Sequence, residues 1–81
     1  MKYTRFMVRR KLNNMYALYA QNTETYNWDC VSADFYLILN ANDFAKFVAK
    51  EQSKEQKCFV VAYGLSGYSI GNYLNGEEYN K

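Results

Sequence analysis

Two hydrophobic runs, Phe35–Leu39 and Cys58–Tyr63, flank a stretch of helical periodicity, and this arrangement limits the fold more than any other feature of the chain. Neither run alternates polar with apolar residues, as suits a strand covered on both faces. Between them Ala41, Phe44, Ala45, Val48 and Gln52 recur at helical spacing, with Phe47 at the stripe's edge. Asn40 is placed to cap this helix and Asp43 to sit in its first turn, where the macrodipole favours an acid. The spacing predicts a helix beginning near Ala41 and ended by the charged stretch Lys50–Lys57, with a strand Cys30–Leu39 before it and a strand Cys58–Tyr63 after it. About a dozen helical residues suffice for a crossover, so these two strands are expected to be parallel neighbours in a right-handed unit, with an antiparallel return as the alternative.

Upstream, Tyr3–Leu12 and Met15–Gln21 read as two strands joined by Asn13-Asn14, and asparagine tolerates the positive φ of a two-residue hairpin loop. That loop would pair Val8 with Tyr19 and Phe6 with Gln21. It would also place Tyr16, Leu18 and Ala20 beside Arg5, Arg9 and Lys11 on a half-open basic face. Downstream, Gly64–Gly67 reads as a turn, Tyr68–Ile70 and Tyr73-Leu74 as short strands around a turn at Gly71-Asn72, and Asn75-Gly76 as a hairpin signal. The expected fold is α+β, one domain over residues 1–81. Its order is β-β-β-α-β with a further short C-terminal hairpin, forming a mixed or antiparallel sheet of four to five strands with one helix packed on one face.

Several function classes are hard to build from these residues. The chain of 81 residues has no histidine, and so lacks the usual general base and the usual zinc ligand. Cys30 and Cys58 belong to no CxxC pair and lie in apolar stretches, where two buried thiols are expected in preference to a disulfide. Glu77 and Glu78 are adjacent, and neighbouring side chains on a strand diverge; they read as a solvated tail rather than a catalytic pair. The glycines lack phosphate-loop spacing. Catalysis, metal and cofactor are therefore not expected. No apolar run approaches the roughly 20 residues that span a bilayer. Met1–Arg10 has no signal-peptide core, and no Asn-x-Ser/Thr acceptor occurs, so a cytoplasmic protein without membrane contact is expected.

The net charge of +2 is distributed unevenly. Lys2, Arg5, Arg9, Arg10 and Lys11 occur without an acid in residues 1–21, and Glu24, Asp29, Asp34 and Asp43 without a base in residues 22–45. Arg5, Arg9 and Lys11 beside Tyr3 and Tyr16 have the ingredients of a single-strand nucleic-acid platform, cations for phosphates and rings for bases. No RNP-like or zinc-knuckle signature accompanies them, and the pI near 8.5 is low for a dedicated nucleic-acid domain. The same cations could instead keep an exposed hairpin soluble. Lys46, Lys50 and Lys54 read as a solvated helix face. Tryptophan, tyrosine and arginine dominate protein interfaces. The single tryptophan, Trp28, stands in a polar loop, either folded over a sheet edge or set for contact, and Tyr26, Tyr68, Tyr73 and Tyr79 lie near turns. One helix covers only part of a sheet, so an uncovered face must meet water, a partner or a second copy in a homodimer.

In size, in its Asn/Tyr/Lys-rich composition, in the absence of catalytic residues and in its layout of a sheet with one helix, the chain resembles the small phage-encoded inhibitors of host machinery, anti-CRISPR proteins above all. The resemblance implies stoichiometric inhibition of a host protein or nucleoprotein complex. Many such inhibitors are acidic mimics of nucleic acid, and this net-positive chain departs from that pattern. The candidate partner-binding residues are Arg5, Arg9, Arg10, Lys11, Tyr16, Tyr26 and Trp28, with weakly selective single-strand binding by the basic hairpin as the alternative function.

Overall fold

A computed structural model describes residues 3–79; Lys2, counted above in the N-terminal charge, lies outside them. The elements are β1 (Tyr3–Arg10), β2 (Tyr16–Asn22), β3 (Trp28–Cys30), α1 (Ile38–Gln56), β4 (Phe59–Tyr63), β5 (Ser69–Leu74) and β6 (Glu77–Glu78). The strands form one six-stranded mixed sheet in the order β3-β2-β1-β4-β5-β6, and α1 packs on one of its faces. The fold is α+β, with the expected order and a C-terminal hairpin.

The parallel neighbours are β1 and β4, with Phe6 beside Ala62, and not the third and fourth strands as the sequence suggested. The other strand pairs are antiparallel. The cause lies in Phe35–Leu39, which is not one strand. Phe35 forms an isolated bridge with Tyr16, exchanging backbone bonds of 2.7 and 2.9 Å. The helix then begins at Ile38, with Leu37 at its N-cap and no side-chain cap; Asn40 lies inside the first turn. Five hydrophobic residues cannot distinguish a strand from a buried helical turn. Here the i, i+3, i+4 pattern already runs from Ile38 through Ala41 and Asn42. At its other end α1 continues through the charged stretch to Gln56, and Lys57 closes it in the left-handed conformation with φ 53°.

Ala41, Ala45, Ala49 and Ser53, four residues apart, form the buried stripe of α1. Small side chains let the helix axis approach the sheet, so the sheet supplies the bulk of the core: Phe6, Val8, Leu18, Val60 and Tyr73. Full burial of each aliphatic or phenyl side chain contributes about 1.5–3 kcal/mol. Tyr73, expected near a turn and free for contact, is 7% exposed. Burial, and secondarily the charge of Glu78, push its hydroxyl pKa upward. Gly71-Asn72 is not a turn but the middle of a continuous β5, while Asn75-Gly76 makes the tight turn into β6 with φ 53° and 86°. Glu77-Glu78, read as a solvated tail, is that edge strand.

Candidate binding surface

The β1–β2 hairpin determines which side chains share a face. Its loop has three residues, Leu12, Asn13 and Asn14, between Lys11 and Met15, whose backbones are joined by a 2.7 Å hydrogen bond. Asn14 takes the left-handed conformation with φ 64°, a recognised three-residue alternative to the two-residue loop. One extra loop residue shifts the register by one, and a strand shifted by one presents its other face. Phe6 pairs with Ala20 and Val8 with Leu18 toward the helix, while Met7 pairs with Tyr19 and Arg9 with Ala17 on the opposite face. Leu18 and Ala20 are thus core residues. Tyr16, expected on the basic face, pairs with Arg10 on the helix side and packs against the core.

The helix-free face then reads, across the sheet, Trp28 and Cys30 from β3, Tyr19 and Gln21 from β2, Arg5, Met7 and Arg9 from β1, and Phe59, Val61 and Tyr63 from β4. Arg9 is its centre: the guanidinium carbon lies 5.5 Å from the Tyr19 ring centroid and 5.2 Å from that of Trp28. Each such cation–π contact is worth about 0.5–1 kcal/mol at an exposed site and more when water is excluded. Trp28 is therefore neither in a loop nor a lid; it is a half-buried strand residue opposite Gln21. Arg5 is exposed where β1 bulges against β2 and lines a shallow depression of about 250 Å³ with Gln21 and Tyr26. A second depression, about 490 Å³, lies at the hairpin tip between Arg9, Arg10, Lys11 and Tyr19. At the far side Phe59 and Tyr79 meet edge to face, with centroids 5.6 Å apart.

The other cations differ. Lys11 is bound to Asp34 at 2.7 Å, and Asn13 donates to the second oxygen of the same carboxylate at 3.0 Å. The hydrogen bond from Lys11 and, secondarily, that from Asn13 hold the Asp34 carboxyl below its ordinary pKa, and the bond to Asp34 raises that of Lys11. The acidic middle segment thus neutralises one charge of the basic hairpin. Arg10 points to the helix side and is exposed. Tyr26 is 72% exposed in the β2–β3 turn, at a positive φ of 63°. Both cysteines are free thiols; Cys30, expected to be buried, is exposed on this face and donates to Ser32 O at 3.4 Å, while Cys58 is half-buried.

Of the seven candidate residues, the structure brings Arg5, Arg9 and Trp28 together on the open face, with Tyr26 beside Arg5. Arg10 and Tyr16 turn away, and Lys11 is occupied by Asp34. Tyr19 and Tyr63 join the surface without having been singled out, beside Met7, which the alternation of β1 already places with Arg5 and Arg9. The three-residue loop opposes Phe6 with Ala20 and Val8 with Leu18, whereas the two-residue loop sets Phe6 against Gln21 and Val8 against Tyr19; both registers oppose apolar residues, so neither the turn nor the strand pattern announced which one forms. Among the described residues no helix is long and apolar enough to cross a membrane. In comparisons with known proteins, the chain matches no protein-family model, no curated protein and no solved structure.

Proposed function

We propose that this chain is a non-enzymatic binding protein that acts in the cytoplasm by docking its helix-free sheet face on an acidic protein surface. The observation that carries the reading is Arg9 held between Tyr19 and Trp28 on the face that α1 leaves open. Arginine and tryptophan are the residues that most often dominate interface energy, and a guanidinium fixed between two rings loses little freedom on binding. Arg5 adds a second exposed cation on the same face. The resemblance to phage inhibitors extends the proposal: the partner would be a host protein or nucleoprotein complex, held stoichiometrically.

Single-stranded nucleic acid on the same face is the second reading, favoured by arginines interleaved with rings on a sheet. It is weaker because Arg9 already covers one face each of Tyr19 and Trp28, and Lys11 is neutralised by Asp34. Base stacking needs open ring faces, and phosphate binding needs uncommitted cations.

The test compares wild type with Arg5→Glu/Arg9→Glu and with Trp28→Ala in capture of partners, followed by titration of the captured protein in purified form. Loss of an interface hot spot costs about 2 kcal/mol, or roughly 30-fold in affinity. Equal affinity for all three proteins sinks the proposal. Tight binding of labelled oligonucleotides at low salt that weakens steeply with added salt shifts the assignment to nucleic acid.

A further inference from the structure

We propose that the outer face of α1 is a self-association surface on which a second copy of the chain docks with its helix antiparallel. This surface lies on the opposite side of the molecule from the sheet face and does not depend on the function proposed for it. Phe47 projects from the side of the helix opposite Ala41, Ala45 and Ala49 and is 61% exposed. At its N-terminal end Leu39 is 70% exposed, and Tyr36 and Leu37, just before the helix, are 83% and 62% exposed. Phe47 is thus an exposed phenyl on the outer side of the helix, with Leu39 two turns before it toward one flank, and it is the charges beside it that select what covers it.

The charges around Phe47 name the occupant. Asn40, Asp43, Phe47, Lys50 and Lys54 follow one another at alternating three- and four-residue spacing and so form one seam along the outer side of the helix. The acid lies on the N-terminal side of Phe47 and both lysines lie on the C-terminal side. A parallel pairing sets Asp43 against Asp43 and lysine against lysine, which repels. An antiparallel pairing sets Asp43 opposite the second copy's Lys54 and lays Phe47 across the aliphatic stem of the second copy's Lys50. The seam is complementary to itself in one orientation only, as an isologous two-fold interface requires. Asp43 is available for it: its contact with Lys46, at 3.7 Å, leaves the carboxylate side chain 77% exposed. The 19-residue helix is about 28 Å long, which limits the buried area to the range of weak, concentration-dependent dimers. Such a dimer carries its two sheet faces on opposite sides, so each remains uncovered.

Sedimentation velocity of the full chain between about 10 µM and 1 mM reads the equilibrium directly. Wild type is expected to pass from monomer to dimer, and Phe47→Asp to raise the dissociation constant at least tenfold while its thermal unfolding, at a concentration where wild type is monomeric, stays unchanged. Asp43→Lys and Lys54→Asp are each expected to weaken the dimer, and the double variant Asp43→Lys/Lys54→Asp to restore it, a rescue that a folding defect cannot produce. The inference is overturned by a wild-type monomer throughout the range, by a dimer indifferent to Phe47→Asp, or by one that Arg9→Glu abolishes and Phe47→Asp does not.

Discussion

A cation on a strand can be left to water, laid on a ring or paired with an acid, and the β1 hairpin uses all three. Arg5 and Arg10 are exposed, Arg9 rests between Tyr19 and Trp28, and Lys11 reaches Asp34. The Lys11–Asp34 contact ties the hairpin to the segment before α1, and its pH dependence follows from the directions of the two shifts. Asp34 is lowered from 3.8, so its contribution is complete above 3.8 and fades as pH falls through the lowered value. Lys11 is raised from 10.5, so its contribution is complete below 10.5 and fades as pH climbs through the raised value. An NMR titration of the Asp34 carboxyl should show a midpoint below 3.8 that moves upward in Lys11→Met; an unmoved midpoint would mean that the ion pair does not form in solution. The identities and signs of these residues were plain in the sequence. Their partners were not, because Lys11 and Asp34 are 23 positions apart and are brought together where Phe35 bridges Tyr16.

At the scale of elements, the C-terminal hairpin is anchored to the helix by a contact with no sequence signature. Ser53, fully buried on the stripe of α1, accepts a hydrogen bond from Gly76 N at 2.9 Å and donates to Lys50 O at 2.8 Å. Gly76 has φ 86°, and a Cβ there would come within 2.7 Å of Lys54 Cβ; Gly67 has the same φ with open space around it. Gly67→Ala should therefore cost only the backbone strain, about 1 kcal/mol, and Gly76→Ala the strain and the clash together, about 2–4 kcal/mol. Urea unfolding of the two variants measures the difference, and equal costs would show that the β5–β6 turn yields freely. The Asn75-Gly76 turn itself was legible, because few dipeptides accept two successive positive φ values. The start of α1 was misread for a complementary reason: an apolar run carries no period, so Ile38 and Leu39 fit either element until Phe35 is seen to bridge Tyr16.

The whole molecule depends on a core whose helix contributes mainly alanines, so a few large sheet residues carry much of the burial. Phe6, 2% exposed, sits on the central parallel pair, and Phe6→Ala should cost about 3–5 kcal/mol. At 0.05–0.15 kcal/mol per residue, this chain has a total of about 4–12 kcal/mol. The variant should therefore melt far below wild type or be largely unfolded at 37 °C by circular dichroism, and a near-wild-type melting curve would place the core elsewhere. By itself the sequence determined the fold class, the order of elements, the single helix and the segregation of charge, because each follows from composition and local period. Tertiary structure alone decided which side chains became the open surface. Alternate residues on a strand face opposite ways, so one additional loop residue at Leu12–Asn14 exchanged Tyr16 for Tyr19. Only the joint packing of β1 on β2, β4 and α1 selects between two loops that local chemistry permits equally.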